Sequence, residues 1–132
     1  MGSSNEVVKW TSIVGARPQF IKLAPICRAI TAHNQSGCSP QIEHSIIHTG
    51  QHYDRVMAEL FFVQLGIPEP CHNLRVGSGT HAEQLARMTE RLEPILDRER
   101  VDRVLVYGDT NSTLAGALVA TRLEIPAAHV EA

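Results

Sequence analysis

Four short polar clusters hold the side chains able to do chemistry, and each follows a β-branched run. Arg17, Gln19 and Lys22 come after Val7 to Val14; His48, Thr49, Gln51 and His52 after Ile46 and Ile47. Asp109, Thr110 and Asn111 come after Val104 to Tyr107, and His129 and Glu131 end the last run. Asp109 and Glu131 are the most informative pair. On neighbouring strands, about 4.8 Å apart, their carboxylates can share one small site. Crowded carboxylates repel, so one is expected to hold its proton more tightly, as general acid/base work requires. Arg17 and Lys22 stand at the start of a helical pattern, where unsatisfied backbone N–H groups and cationic side chains favour an anion. Each cluster also has a plainer reading: Asp109 as a helix cap, Arg17 as a surface charge, Glu131 as a frayed end. The convergence of all four on one rim is what favours function.

Other chemistries are poorly supported. His48 and His52 are four residues apart but span a strand-to-loop break, and no nearby cysteine or histidine completes a tetrahedral set, so no metal is expected. His44 reads as a structural histidine within a strand. Gly15-Ala16-Arg17-Pro18 lacks both the Gly-x-Gly-x-x-Gly fingerprint and a Gly-Lys-Ser/Thr ending. No tightly held dinucleotide or other cofactor is therefore expected.

The elements that must position these residues follow from periodicity. Val7 to Val14 reads as a strand; Phe20, Leu23, Ala24, Cys27 and Ile30 recur at helical spacing. Pro18 suits that helix's first turn, whereas Pro25 predicts a kink or an early start. Glu43 to His48 is a second strand. Asp54 is placed to cap a second helix marked by Val56, Leu60, Phe61 and Val63. A short strand is expected near His72 to Val76. Thr80 and Glu83 form a capping box, followed by a helix through Leu85, Met88, Leu92, Ile95 and Leu96, with Glu83 and Arg87 paired on its outer face. Val104 to Tyr107 is a buried strand, Asn111 or Ser112 to about Arg122 a helix rich in small residues, and Ala127 to Glu131 the last strand. The helix around Gly116 carries no charge before Arg122; it is either buried or an apolar patch for a partner. This alternation predicts an α/β fold: a doubly wound, Rossmann-like parallel sheet in strand order 3-2-1-4-5.

Composition narrows the function classes. At 132 residues the chain has the length of one domain. A net charge of −2 argues against a broad basic face for nucleic acid, and 5% aromatics against a base-stacking platform. No apolar run approaches the roughly 20 residues a membrane span needs, so no membrane partner is expected. Three scattered cysteines form no disulfide framework, which points to a reducing cytoplasm.

Four segments in register then carry a resemblance. Ile13-Val14-Gly15-Ala16-Arg17-Pro18-Gln19-Phe20-Ile21-Lys22, His48-Thr49-Gly50-Gln51-His52, Tyr107-Gly108-Asp109-Thr110 and His129-Val130-Glu131-Ala132 resemble, in order, the signatures of the UDP-N-acetylglucosamine 2-epimerase family. The resemblance runs from about Lys9 to the end. It implies that residues 1–132 are the N-terminal Rossmann-like domain of a two-domain, glycosyltransferase-B-like isomerase whose UDP-binding C-terminal domain is absent here. It implies a UDP-sugar substrate, UDP-GlcNAc interconverted with UDP-ManNAc through elimination and re-addition of UDP, and no nicotinamide. By motif, Asp109 and Glu131 become catalytic acid/base residues; Arg17, Lys22, Gln51, His52 and Thr110 become substrate contacts. A homodimer is expected, and a chain inactive by itself. Two departures stand out. Gly-Ala-Arg-Pro-Gln replaces the usual Gly-Thr-Arg-Pro-Glu, a form shared with relatives acting on UDP-2,3-diacetamido uronic acids. Gly77-Ser78-Gly79-Thr80 lacks the arginine of allosterically activated members, and Asp54 replaces a glutamine, which argues against such activation. The alternatives to a GlcNAc epimerase are therefore a diacetamido-uronate epimerase and a non-catalytic nucleotide-sugar binding module.

Overall fold

The computed structural model describes residues 6–50, 60 and 62–130. Its sheet is parallel and five-stranded: β1 (Val7–Val14), β2 (Gln41–His48), β3 (His72–Asn73), β4 (Arg103–Tyr107) and β5 (Ala127–Val130), in the order β3-β2-β1-β4-β5. That is the expected order. The helices are α1 (Arg17–Gln35), a segment α2 described over 62–65, α3 (His81–Glu99) and α4 (Asn111–Arg122).

Alternation along the strands sorts side chains between two cores. Val14, Ile46, Leu105 and Tyr107 face α1, where Phe20, Leu23, Ala24 and Cys27 cover them together with Phe62 and Ile67. Ile13, Ile47, Val104 and Val106 face the other way, against Met88, Leu92 and Leu96 of α3 and Ala115, Val119 and Ala120 of α4. Burial on both faces explains why these strands read as nearly unbroken apolar runs.

Several elements differ from expectation for local reasons. α1 runs unbroken through Pro25. Its ring lies on the exposed side, so the missing N–H costs one helical bond while Leu23, Ala24 and Cys27 stay buried. β3 is only two residues long because Arg75 takes a left-handed φ of 53°. Its ladder nonetheless continues irregularly: the N–H groups of Leu74, Val76 and Gly77 donate to His48, Thr49 and Gly50 at 2.8, 3.0 and 2.8 Å. Arg87 does more than pair with Glu83, whose carboxyl pKa is lowered most by hydrogen bonds from Thr80 and further by the Arg87 charge. Its Nη1 donates to the Val76 and Ser78 carbonyls at 2.8 and 3.2 Å, while Glu83 Oε1 accepts the Thr80 N–H at 2.9 Å. Most of the expected second helix, with its Asp54 cap, Val56 and Phe61, lies outside the described residues. Leu60 and Val63, taken as its apolar markers, are exposed, and Phe62 is the residue that enters the core.

The small residues of α4 permit close approach. A Cβ on Gly116 would lie 2.7 Å from Val106 Cγ1 and 3.1 Å from Ile13 Cδ1. The helix is therefore buried along this face, yet Leu114 and Leu118 remain 47% and 43% exposed on the outside. The buried reading holds on the side facing the sheet, and the two leucines leave apolar surface on the other.

A buried polar chain crosses the α1 face of the sheet. Ser12 Oγ bonds His44 Nε2 at 2.7 Å and Tyr107 Oη at 2.8 Å. Burial pushes the Tyr107 phenol up to about 12 and the His44 imidazole down to about 4. His48, also lowered to about 4 by burial, lies edge-on to Phe20 and Phe62, with Nδ1 accepting the Gly50 N–H at 2.9 Å.

Two outcomes follow. Gly116→Ala is expected to destabilise the chain by about 1–3 kcal/mol through overpacking, outweighing alanine's better helix propensity of about 1 kcal/mol; urea denaturation checks it. Half-buried His44 and buried His48 both stay neutral down to about pH 4 when folded, whereas the unfolded chain protonates them near 6.5. Below that pH the unfolded state binds more protons, so stability falls from about pH 6.5 towards pH 4, by up to about 1.4 kcal/mol per pH unit for each histidine. Denaturation midpoints between pH 4.5 and 7.5, with His44→Asn flattening the slope, test this.

Candidate active site

The carboxyl ends of β1 and β4 adjoin, and the chain leaves them in opposite directions, to α1 on one face and α4 on the other. This is the switch point of the sheet, where open α/β folds bind ligands. After β1, Ala16 is extended (φ −134°, ψ 156°) and Pro18 lies in the first turn of α1, so Arg17 begins that helix at the rim. After β4, Gly108 takes a left-handed φ of 69°, which a side chain would strain, and Thr110 is the N-cap residue of α4.

Gln19 ties these two turns together. Its carboxamide is buried, with 1% of the residue exposed. Oε1 accepts the Gly15 and Ala16 N–H groups at 2.7 and 3.0 Å. Nε2 donates towards the Tyr107 carbonyl at 2.5 Å and the hydroxyls of Thr110 and Thr113 at 2.9 and 3.2 Å. Thr113 Oγ1 itself donates to the Tyr107 carbonyl at 2.6 Å and accepts the Thr110 N–H at 3.2 Å. Gln19 was legible as a rim residue, but no role followed from its position. The available signal was an amide three residues into a helix whose N-cap, Ala16, has no side-chain acceptor.

Within this frame the predicted residues divide. Asp109 is exposed on the turn and does not cap α4, because Thr110 holds that position. Among the described residues its carboxylate makes no hydrogen bond or ion pair. Lys22 is half-buried, its Nζ 3.6 Å from where a Cβ on Gly108 would sit. Among the described residues that ammonium also lacks an ion pair. A carboxylate and an ammonium thus flank a glycine that leaves the backbone bare. Arg17 is exposed at the same rim. Thr110 accepts from Gln19 and retains its own hydroxyl proton for another acceptor.

The β2 cluster behaves differently from the expected rim. His48 and Thr49 are buried, not directed at a ligand. Thr49 Oγ1 bonds Ser112 Oγ at 2.9 Å, which fixes the start of α4 against the end of β2. Asn111 Nδ2 bonds His81 Nδ1 at 3.0 Å and Gln84 Oε1 at 3.1 Å, joining the amino ends of α3 and α4. At Gly50, φ is +77° and a Cβ would come within 2.8 Å of Arg75 Cα, so only glycine fits. Gln51, His52 and Glu131 lie outside the described residues. On the β5 side, His129 Nε2 donates to the Gly108 carbonyl at 2.5 Å and the Gly108 N–H donates to Val130 at 3.2 Å. β5 therefore leaves the sheet beside the Asp109 turn.

Known proteins share this sequence and this fold. The family model described as UDP-N-acetylglucosamine 2-epimerase matches residues 35–132. A UDP-N-acetylglucosamine 2-epimerase homolog of Methanococcus maripaludis is 54% identical over 125 residues, covering 95% of this chain and 33% of the relative. The UDP-2,3-diacetamido-2,3-dideoxy-D-glucuronate 2-epimerase of Pseudomonas aeruginosa is 48% identical, covering 95% and 34%. The crystal structure of Methanocaldococcus jannaschii UDP-GlcNAc 2-epimerase in complex with UDP-GlcNAc and UDP superimposes with a TM-score of 0.85 at 48% identity, covering 95% of this chain and 33% of that one. The chain spans about a third of the length of these relatives. By its sequence match and its fold, the chain belongs to the UDP-N-acetylglucosamine 2-epimerase family.

Proposed function

We propose that this chain supplies the N-terminal wall of a nucleotide-sugar 2-epimerase that interconverts UDP-GlcNAc and UDP-ManNAc. The observation that carries the reading is the pair of charges on either side of Gly108 at the switch point, Asp109 and Lys22, neither in an ion pair among the described residues. The C2 proton of the sugar is not adjacent to a carbonyl and is barely acidic. Eliminating UDP to a 2-acetamidoglucal, then re-adding it with C2 protonated from the other face, avoids a free carbanion. Asp109 and Glu131 handle the C2 proton. Arg17 and Lys22 stabilise charge on the departing pyrophosphate, where fixed cations act most strongly in the transition state. Gln51, His52 and Thr110 hold the substrate. A second domain closes the cleft and excludes water, which strengthens every charge interaction inside.

A second reading has a specific observation behind it: the 48% identity to the diacetamido-glucuronate epimerase. The two differ in the sugar, so parallel assays with UDP-GlcNAc and a UDP-2,3-diacetamido uronic acid separate them. We place the enzyme in the cytoplasm. Among the described residues no helix is long and apolar enough to cross a membrane.

The decisive experiment is proton NMR in D₂O with this chain extended through its second domain. Deuterium is expected to enter at C2 of UDP-GlcNAc. Asp109→Asn is expected to retain the fold and lower kcat by about a hundredfold to ten-thousandfold; an unchanged rate would make Asp109 a turn residue only. The 132-residue chain by itself is expected not to turn over, and activity near that of the extended enzyme would show that one wall suffices. A homodimer is also expected. Leu114 and Leu118, one turn apart and exposed on α4, are the apolar surface that would be covered. A monomer by light scattering at micromolar concentration counts against it.

A further inference from the structure

Asp109 and Arg17 sit on separate loops after separate strands, and each is exposed. A pyrophosphate and the C2 carbon of its sugar lie at a fixed separation, so the loops must keep a fixed distance from each other. We propose that Gln19 sets that distance as a positioning residue: its buried carboxamide locks the β1–α1 turn, with Arg17, to the β4–α4 turn, with Asp109. The inference rests on the functional reading above, in which those two side chains meet one substrate.

The chemistry at position 19 is restrictive. On one side are two donors, the Gly15 and Ala16 N–H groups; on the other is a pure acceptor, the Tyr107 carbonyl, two residues before Asp109. A group bridging both must accept at one end and donate at the other; a carboxamide does both, whereas the glutamate of the usual motif does so only when protonated. Met fills the same space and does neither. Lys and Arg cannot accept. The amide lies in the first turn of α1, one residue after Pro18, so its backbone is held by the helix and its side chain cannot follow a drifting loop without losing bonds. Thr113 joins the same carbonyl and the Thr110 N–H, which makes the β4–α4 turn rigid beyond the point of contact. On the far side His129 holds the Gly108 carbonyl, so the peptide units preceding Asp109 are gripped from α1 on one side and from β5 on the other.

The test has two arms. In the 132-residue chain, amide exchange by NMR is expected to show slow Gly15 and Ala16 N–H groups that become fast in Gln19→Met. The resonances of Tyr107 to Thr113 are expected to shift in the same variant. A change confined to the α1 side would overturn the coupling between the turns. Thr113→Val, which removes one partner and keeps Gln19, is the milder variant should Gln19→Met fail to fold; it is expected to perturb Gly15 and Ala16 across the gap, and silence there would equally overturn the coupling. In the two-domain enzyme, a misplacement of about 1 Å is enough to lower kcat about a hundredfold. Gln19→Met is therefore expected to lose kcat on that scale with KM little changed, since Arg17 and Lys22 still bind phosphate. A folded Gln19→Met enzyme with wild-type kcat would overturn positioning. Wild-type enzyme that turns over no UDP-sugar would instead overturn the functional reading, and the amide-exchange arm would still decide the coupling.

Discussion

β1 is paired on both sides, to β2 over its whole length and to β4 over Trp10 to Ile13. All else in the chain depends on that double pairing. Parallel strands cannot be joined by tight turns, so each neighbour must be reached by a crossover through a helix. Right-handed crossovers to opposite edges send α1 to one face and α4 to the other. The two chains leaving β1 and β4 therefore part at adjacent points, and a crevice opens between them without any residue being selected to make it. What selection can choose is what lines the crevice: bare backbone at Gly108, a carboxylate at Asp109, cations at Arg17 and Lys22.

The strand and helix order was legible because both faces of the sheet are covered. Val104 to Tyr107 has no polar alternation, and Ile13 and Val14 are apolar in succession, as burial on both sides requires. Helix ends were legible where a cap is local, as at Thr80 and Glu83. What escaped the sequence depends on contacts far apart in the chain. Thr49 looked like a rim residue because a threonine after a strand is usually exposed; its partner, Ser112, lies 63 residues on. Arg87 looked like a helix-surface charge because periodicity knows only its own helix, whereas its guanidinium holds carbonyls of the segment after β3. The helix around Gly116 read as either buried or an apolar patch for a partner, and at Gly116 itself the surface it fits is the chain's own sheet.

The candidate site was legible in its charges and illegible in its support. Asp109, Lys22 and Arg17 announce themselves by type and by place after a strand. Gln19 does not, since a neutral amide on a helix is ordinary. Ala16 and Gln19 are the two positions at which the Gly-Ala-Arg-Pro-Gln form departs from the usual family motif, and both lie in the joint between the turns. The departure thus falls on the frame around the site and leaves Arg17 and Asp109 in place.

This division of labour follows from what burial does to each kind of group. A charge taken out of water needs a partner, and once paired it is less available to a substrate. A neutral amide or hydroxyl can be buried at little cost provided each polar atom is bonded. The chain accordingly spends its buried positions at the crevice on Gln19, Thr49, Ser112 and His48, the last kept neutral by its surroundings. It leaves Asp109 exposed and Lys22 half-buried, without ion pairs among the described residues. Exposed charges in water are screened and act weakly. They gain strength when a ligand and a covering surface remove the solvent, and the gain is large only if they are already in place. A neutral, fully bonded frame beneath exposed charges meets that requirement, because a charge already held in place loses nothing to reorganisation when solvent leaves.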